Sequence, residues 1–254
     1  MIGGIVVNIK KAEAYKNLVL DMQSRYPIYK GVPSGAEVDL WAPSYNGEIF
    51  CQEINTYTYR QGIDYAEKTP HIKYLLVATA ANFPNEDDLQ MIKKLNTGDR
   101  EFPYNVYIHK NHRMYQNLTK LFKMLGYDIE NYRYEELFFT NFCLGYCTSG
   151  KPAEKVMMKD ADSFRKLCSI LEPENILCLG QKTFNCVYKT LTDFDSVNYD
   201  KYTDFVENHG NIIVNFGEVK SKIYPLVSCG WPGASSRSFE LQKQDWKRIA
   251  AETK

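Results

Sequence analysis

The residues able to do chemistry lie in short polar stretches between apolar runs. In "IHKNHR", residues 108–113, His109 and His112 stand three positions apart beside Lys110 and Arg113. That spacing suits a metal ion or a phosphate, and it equally suits a solvated loop ahead of a helix. "GQKT" at 180–183 invites a phosphate-loop reading, but that loop needs glycine at 175 and lysine at 181, where the chain has Asn175 and Gln181. Gly180 is instead expected to let a helix and a strand approach closely. Cys143 and Cys147 have ligand-like spacing without a second ligand pair. "KYLLVATAANFP" at 73–84 poses the opposite problem. It reads as a buried strand running into a loop where an open α/β fold presents its chemistry, yet that loop offers Ala78, Thr79, Ala80, Ala81, Asn82 and Phe83.

The elements that must position these residues alternate between strand-like and helix-like runs. Such alternation predicts an α/β fold, a three-layer α/β/α arrangement with a mainly parallel central sheet. "KAEAYKNLVLDMQSR" at 11–25 reads as a helix, followed by a long loop-rich stretch, so residues 1–50 form a helical and loop extension. Strands are expected at 72–79, at "ELFFTN" (136–141) ending on its polar pair, at "NILCLG" (175–180), and in "NIIVNF" and "KIYPLVSCG". Met114, Leu118, Leu121, Phe122 and Leu125 share one helical face. Phe164, Leu167, Cys168 and Leu171 mark a helix stopped by Pro173, and Phe184, Val187, Tyr188 and Leu191 mark the next. "SFELQKQDWKRIAAE" closes the chain with Trp246 and Ile249 on one side.

Composition narrows the class further. The 254 residues suffice for one large domain spanning 1–254, and no Gly/Ser/Pro-rich linker divides them. Thirty-one basic and 31 acidic residues cancel, so no global positive field announces a nucleic-acid partner, although a local basic groove remains compatible with one. No apolar run of about 18 residues occurs, and the N-terminal "MIGGIVVNIKK" has its charges on the wrong side of its apolar run for a secretory signal. The expectation is a cytoplasmic protein without a membrane partner. Seven cysteines with no Cys-x-x-Cys pair fit reduced thiols. The 19 tyrosines suit either core margins or a base-stacking groove.

With "LFFTNFCLGY", "EPENILCLGQKTF" and "YPLVSCGWPGASSRS…QKQDW" in hand, the chain resembles the uracil-DNA glycosylase superfamily over about residues 50–249. The likeness is to a bacterial and phage branch that carries a "TYWQG"-like element, here "TYTYRQG". It implies a uracil-DNA glycosylase-like fold and base excision, in which a flipped nucleotide enters a cavity and its N-glycosidic bond breaks. Cleavage leaves positive charge on the sugar and negative charge on the base, so preorganised groups at both ends lower the barrier.

Residue by residue, the resemblance assigns Asn141 to base recognition and Phe83 to stacking. Ala80 stands where the family has a carboxylate, and Ser228 where it has a histidine. Glu53, in "CQEINTYTYRQG" with Gln52 and Asn55, is the first choice for the missing carboxylate, ahead of Glu86 and Asp87. Ala80, Ala81 and Asn82 then line the base site, and the small side chains of Ala78, Ala80 and Ala81 admit a bulky 5-substituent. The reading is a monomeric, cofactor-free DNA glycosylase with no metal. It removes a modified pyrimidine such as hydroxymethylcytosine or its glucosylated form, in a phage-defence or repair setting. Arg237, Lys243, Lys247 and Arg248 are expected to meet DNA phosphates, or else to form a solvated face. The rivals are a catalytically inactive nucleic-acid-binding or inhibitor protein on the same fold, a uracil-DNA glycosylase of base-excision repair, and a hydrolase of small N-glycosides.

Overall fold

"YLLV" at 74–77 is buried without interruption, as befits a central strand packed on both faces. The computed structural model describes residues 72–82, 113–129, 134, 136–147, 153–192 and 194–254, with residues 10, 11, 13–15, 17, 18 and 21. Strand β1 runs Tyr74–Asn82, helix α1 Arg113–Met124, and β2 Leu137–Cys147. Next come the short α2, Glu154–Met157, a 3-10 turn at Met158–Asp160, α3 at Ala161–Leu171 and β3 at Asn175–Leu179. Helices α4 (Gln181–Leu191) and α5 (Tyr202–Asn208) lead to β4 (Ile212–Phe216) and β5 (Val219–Leu226). Helices α6 (Trp231–Ser236) and α7 (Phe239–Glu252) finish the chain.

The five strands form one sheet in the order β2-β1-β3-β5-β4. The first four are mutually parallel, as expected, but β4 is antiparallel to β5, in a hairpin turned at Gly217 with φ +56°. Alternation sorts the side chains into two cores. Leu75, Val77, Phe138, Ile176, Cys178 and Ile223 pack with α3, α4 and α5 on one face. Tyr74, Leu76, Phe139, Leu177, Tyr224 and Leu226 pack with α1 and α7 on the other, where Phe122 lies 5.1 Å from Trp246 between ring centres. The expected helical segment near residue 11 is helical at the described positions and buries Tyr15 and Leu18.

Two boundaries differ from expectation. Strand β2 does not end on Thr140-Asn141: Phe142 and Cys143 are still fully buried, and pairing with β1 continues to Cys147. Likewise the alanines at 80 and 81 belong to β1 itself rather than to a loop. A polar pair does not stop a strand whose neighbour continues to offer hydrogen bonds.

Helix ends have local causes. After α1, Tyr127 N–H donates to Phe122 O and Gly126 N–H to Lys123 O, with Gly126 at φ +89°, a Schellman closure. Helix α3 stops at Glu172 in the left-handed region, φ 45°, one residue before Pro173. Gly180, before α4, has φ 100° and ψ 154°, backbone angles essentially reserved for glycine, while a Cβ placed there meets nothing within 4 Å. Its need is conformational, which corrects the close-approach expectation. Gly180→Ala should therefore cost about 1–3 kcal/mol in urea unfolding; a cost below about 0.5 kcal/mol would contradict that backbone conformation.

Cys143, Cys168, Cys178, Cys186 and Cys229 are buried and form no disulfide. Burial pushes the thiols of Cys186 and Cys229 up to about 12 and those of Cys168 and Cys178 well above their usual 9. An unfolded chain ionises these groups near pH 9, whereas the folded chain keeps their protons, so the folded state binds more protons between the two values. Stability from this source is complete below about pH 9 and declines as pH rises toward 12. Urea midpoints should fall steadily above pH 9, and a flat profile from 8 to 11 would refute the protonated thiol core.

Candidate functional site at the carboxyl edge of the sheet

The chain leaves β1 across the α1 face to reach β2, then returns across the α3 face to reach β3. The described helices that follow β1 and β3, α1 and α4, lie on opposite faces of the sheet, and the carboxyl ends between two such strands are the usual ligand position in open α/β sheets. Pairing of β1 with β3 stops at Val77↔Cys178, and pairing of β3 with β5 stops at Leu179↔Leu226. Beyond that level only β1 and β2 continue, as a two-stranded ribbon. Exposure rises at the same point: Tyr74–Val77 are buried, while Ala78 and Thr79 are half-buried.

Asn141 sits at this level, paired with Ala78, and is only 4% exposed. Alternation from Phe139 puts both side chains on the α1 and α7 face. Thr140 Oγ1 donates to the Asn141 carbonyl at 3.1 Å, and no hydrogen bond joins the Asn141 carboxamide to another described residue. Just above, the register breaks. Ala80 pairs with Cys143 but Ala81 pairs with Tyr146, so β2 carries Leu144 and Gly145 as an irregular insertion. Such bulges bend a strand, here at the carboxyl edge of the sheet. On the opposite face the Thr79 hydroxyl lies 2.9 Å from that of the fully buried Thr183, tying the end of β1 to the first turn of α4.

Across β3 from β1, the same edge of the sheet carries the loop after β5. Gly180 N–H and the Tyr202 hydroxyl both donate to the Leu226 carbonyl, at 2.7 and 3.1 Å, fixing where the loop begins. Burial, with nearby Cys178 and Tyr199 adding to it, holds the Tyr202 phenol far above its ordinary range, so it remains a donor. Ser228 is half-buried, and its Oγ accepts the Gly230 N–H at 3.4 Å, an arrangement that leaves the hydroxyl proton for another acceptor. Asn117 Nδ2 of α1 donates to Cys229 O at 2.8 Å, and Cys229 Sγ donates to Met114 O at 3.6 Å. Behind the loop, Gly233 packs directly against the Ser228 carbonyl.

Asn141, the backbone of Ala80, Ala81 and Asn82, and Ser228 thus share one rim. Asn141 and Ser228 stand on strands three spacings apart, roughly 14 Å. Glu53, Phe83, Glu86, Asp87, His109 and His112 lie outside the described residues, as do the side chains of Ala80, Ala81 and Asn82. Arg237 departs from its expected role. It is 6% exposed, its Nε and Nη2 bind Asp245 at 2.8 and 2.9 Å, and its Nη1 binds Glu207 at 3.1 Å, so its charge is neutralised inside the protein. Arg248 likewise donates to the carbonyls of Val206 and Glu207 at the end of α5. Lys243 lies 2.7 Å from Glu240 and over the Phe239 ring, while Lys247 is exposed.

Asn117, Met114 and Thr183 were not among the expected site residues. A signal existed for Asn117: it interrupts the apolar stripe between Met114 and Leu121, the position where a buried polar side chain needs a partner. Among the described residues no group of three or more His, Cys, Asp or Glu is arranged to hold a metal ion, and no helix is long and apolar enough to cross a membrane.

The fold is that of an α/β protein with a mostly parallel five-stranded sheet among the described residues. No family model matches the chain, and no curated protein matches it.

Proposed function

We propose that the protein is a DNA glycosylase of the uracil-DNA glycosylase type, excising a flipped-out pyrimidine that carries a bulky 5-substituent. One observation supports the reading: a buried carboxamide, Asn141, paired with the small Ala78, and a hydroxyl with a proton to give, Ser228, lie at the same carboxyl edge of the sheet. In this mechanism Asn141 reads the polar edge of the base, using a donor and an acceptor fixed by a rigid strand. The C–N bond breaks with its electron pair leaving on the base, and Ser228 donates a hydrogen bond to the base as negative charge develops there. Glu53 stabilises the cationic sugar and takes a proton from the water that attacks it, giving an abasic site and free base.

The test is incubation with duplexes containing uracil, hydroxymethylcytosine or glucosylated hydroxymethylcytosine, followed by alkali. Strand nicking at the modified position is the expected result, and Glu53→Ala should slow it about 100-fold or more. Intact strands throughout would overturn the reading, and retained DNA without nicking would favour the binding-only rival.

A second reading, hydrolysis of a free N-glycoside, draws on Arg237 and Arg248, whose charges serve internal contacts instead of a duplex. Release of base from modified nucleosides, with the duplexes left intact, would select it.

A further inference from the structure

We propose that the outer face of α1 and α7 meets the phosphate backbone of a DNA duplex, with Lys120, Lys243 and Lys247 as its phosphate contacts. The inference rests on the glycosylase reading for its partner and goes on to name the face that the partner covers. The two helices pack together on the side of the sheet that also carries Asn141. Both run away from the carboxyl edge. Asn117 of α1 holds the Cys229 carbonyl just after β5, whereas at the start of β1 Tyr74 packs against Tyr127, past the end of α1, and its hydroxyl bonds Thr253, past the end of α7. The amino ends of both helices, with the positive ends of their dipoles, therefore lie at the edge that carries Asn141 and Ser228.

Near that edge two cations from different helices converge. Lys120 Nζ lies 5.9 Å and Lys243 Nζ 5.5 Å from the centre of the same Phe239 ring, whose electron-rich face attracts each of them. Glu240, 2.7 Å from Lys243, offsets one of these charges, but its side chain is 76% exposed and solvent screens it. Among the described residues no carboxylate is within ion-pair distance of Lys120 or Lys247. Lys247 follows Lys243 by about 6 Å of helix rise. Lys123, exposed one turn beyond Lys120, extends the array and is 3.8 Å from Asp128. Cations strung along two neighbouring helices match a linear polyanion better than a single small anion. The chain as a whole has no net charge, and Arg237 and Arg248 serve internal contacts, so attraction to DNA has to come from a local array of this kind.

The test is the affinity of the full chain for a labelled, unmodified duplex, measured by fluorescence anisotropy from about 50 to 200 mM salt. The triple variant Lys120→Gln, Lys243→Gln, Lys247→Gln removes three charges while keeping most of each stem. Its binding should fall about 10-fold or more at the low-salt end, and the slope of log affinity against log salt should shrink by about 2 to 3. Lys155→Gln, Lys159→Gln, Lys166→Gln changes the net charge equally on the opposite side of the sheet, where all three lysines are exposed, and should leave the slope unchanged. Equal losses in the two triple variants would overturn the proposal, as would a wild-type protein that retains no duplex. Poly-glutamate bound as tightly as the duplex, and released by the first set of substitutions, would overturn it in favour of an acidic protein partner. Base excision is scored separately. Excision that ignores the first set of substitutions removes the DNA face and leaves the glycosylase reading standing, whereas lysine-dependent binding without excision supports the face and removes the catalytic reading.

Discussion

Asp245→Ala lowers the unfolding free energy by about 3–5 kcal/mol, with a fall in Tm on the order of 10 °C. Asp245 is 3% exposed and meets Arg237 through two parallel hydrogen bonds, so its removal strands a buried guanidinium whose remaining carboxylate, Glu207, is 60% exposed on its side chain. The hydrogen bonds to Asp245 push the Arg237 pKa above its already high ordinary value, and without them that ordinary value alone keeps the stranded guanidinium charged. Glu207→Ala should cost under about 1 kcal/mol, because solvent screens its half of the network. Replacing the pair together, Arg237→Met with Asp245→Leu, should recover most of the loss, since the penalty lies in the unpaired charge. Urea denaturation of the three variants checks this order. An Asp245→Ala midpoint matching that of Glu207→Ala would show that the pair is not buried as described. The function is linked to this corner: Gln242 Nε2 also donates to the Arg237 carbonyl, so the ion pair fixes how α6 turns into α7 behind the Ser228 loop.

Gly233→Ala destabilises by more than about 3 kcal/mol, beyond the usual cost of an overpacked methyl group. Its Cβ would fall 1.5 Å from the Ser228 carbonyl oxygen and 2.5 Å from the carbonyl carbon. Backbone atoms have no rotamer to escape into, so normal contact requires a displacement of about 2 Å. That movement is resisted on one side by the pairing of Leu226 with Leu179 and on the other by the Asn117 grip on Cys229. Either α6 detaches or the Ser228 loop moves away from the carboxyl edge of the sheet, and the proposed base excision should fall with it. Gly230→Ala is the internal control, three residues away with ordinary contacts of 3.7–3.9 Å. Equal urea midpoints and equal excision rates for the two variants would refute the close approach.

The two substitutions also separate what is local in this molecule from what is not. The apolar spacing of residues 114–125, the continuous run at 175–179 and the placement of Trp246 and Ile249 all read directly into α1, β3 and α7. Each is a short-range pattern, and burial acts on it within one or two turns or along one strand. The polar pair Thr140-Asn141 suggested a strand end and lies mid-strand, because β1 continues alongside and pairing overrides composition. The shared rim was legible only as a list of separate segments; the strand order brought them to one edge of the sheet.

Sequence by itself thus determined the alternating elements, the mainly parallel sheet and the reduced thiols, all properties of neighbouring residues or of composition. Tertiary structure alone decided that β4 runs antiparallel, that Gly180 needs its φ while Gly233 needs its missing side chain, and that Arg237 is buried while Arg248 binds the carbonyls at the end of α5. Arg237 meets Glu207 across 30 residues and Arg248 reaches Val206 across 42, distances along the chain over which no periodicity carries information. A charged side chain or a glycine declares its chemistry locally, but what it touches is set by packing between distant segments.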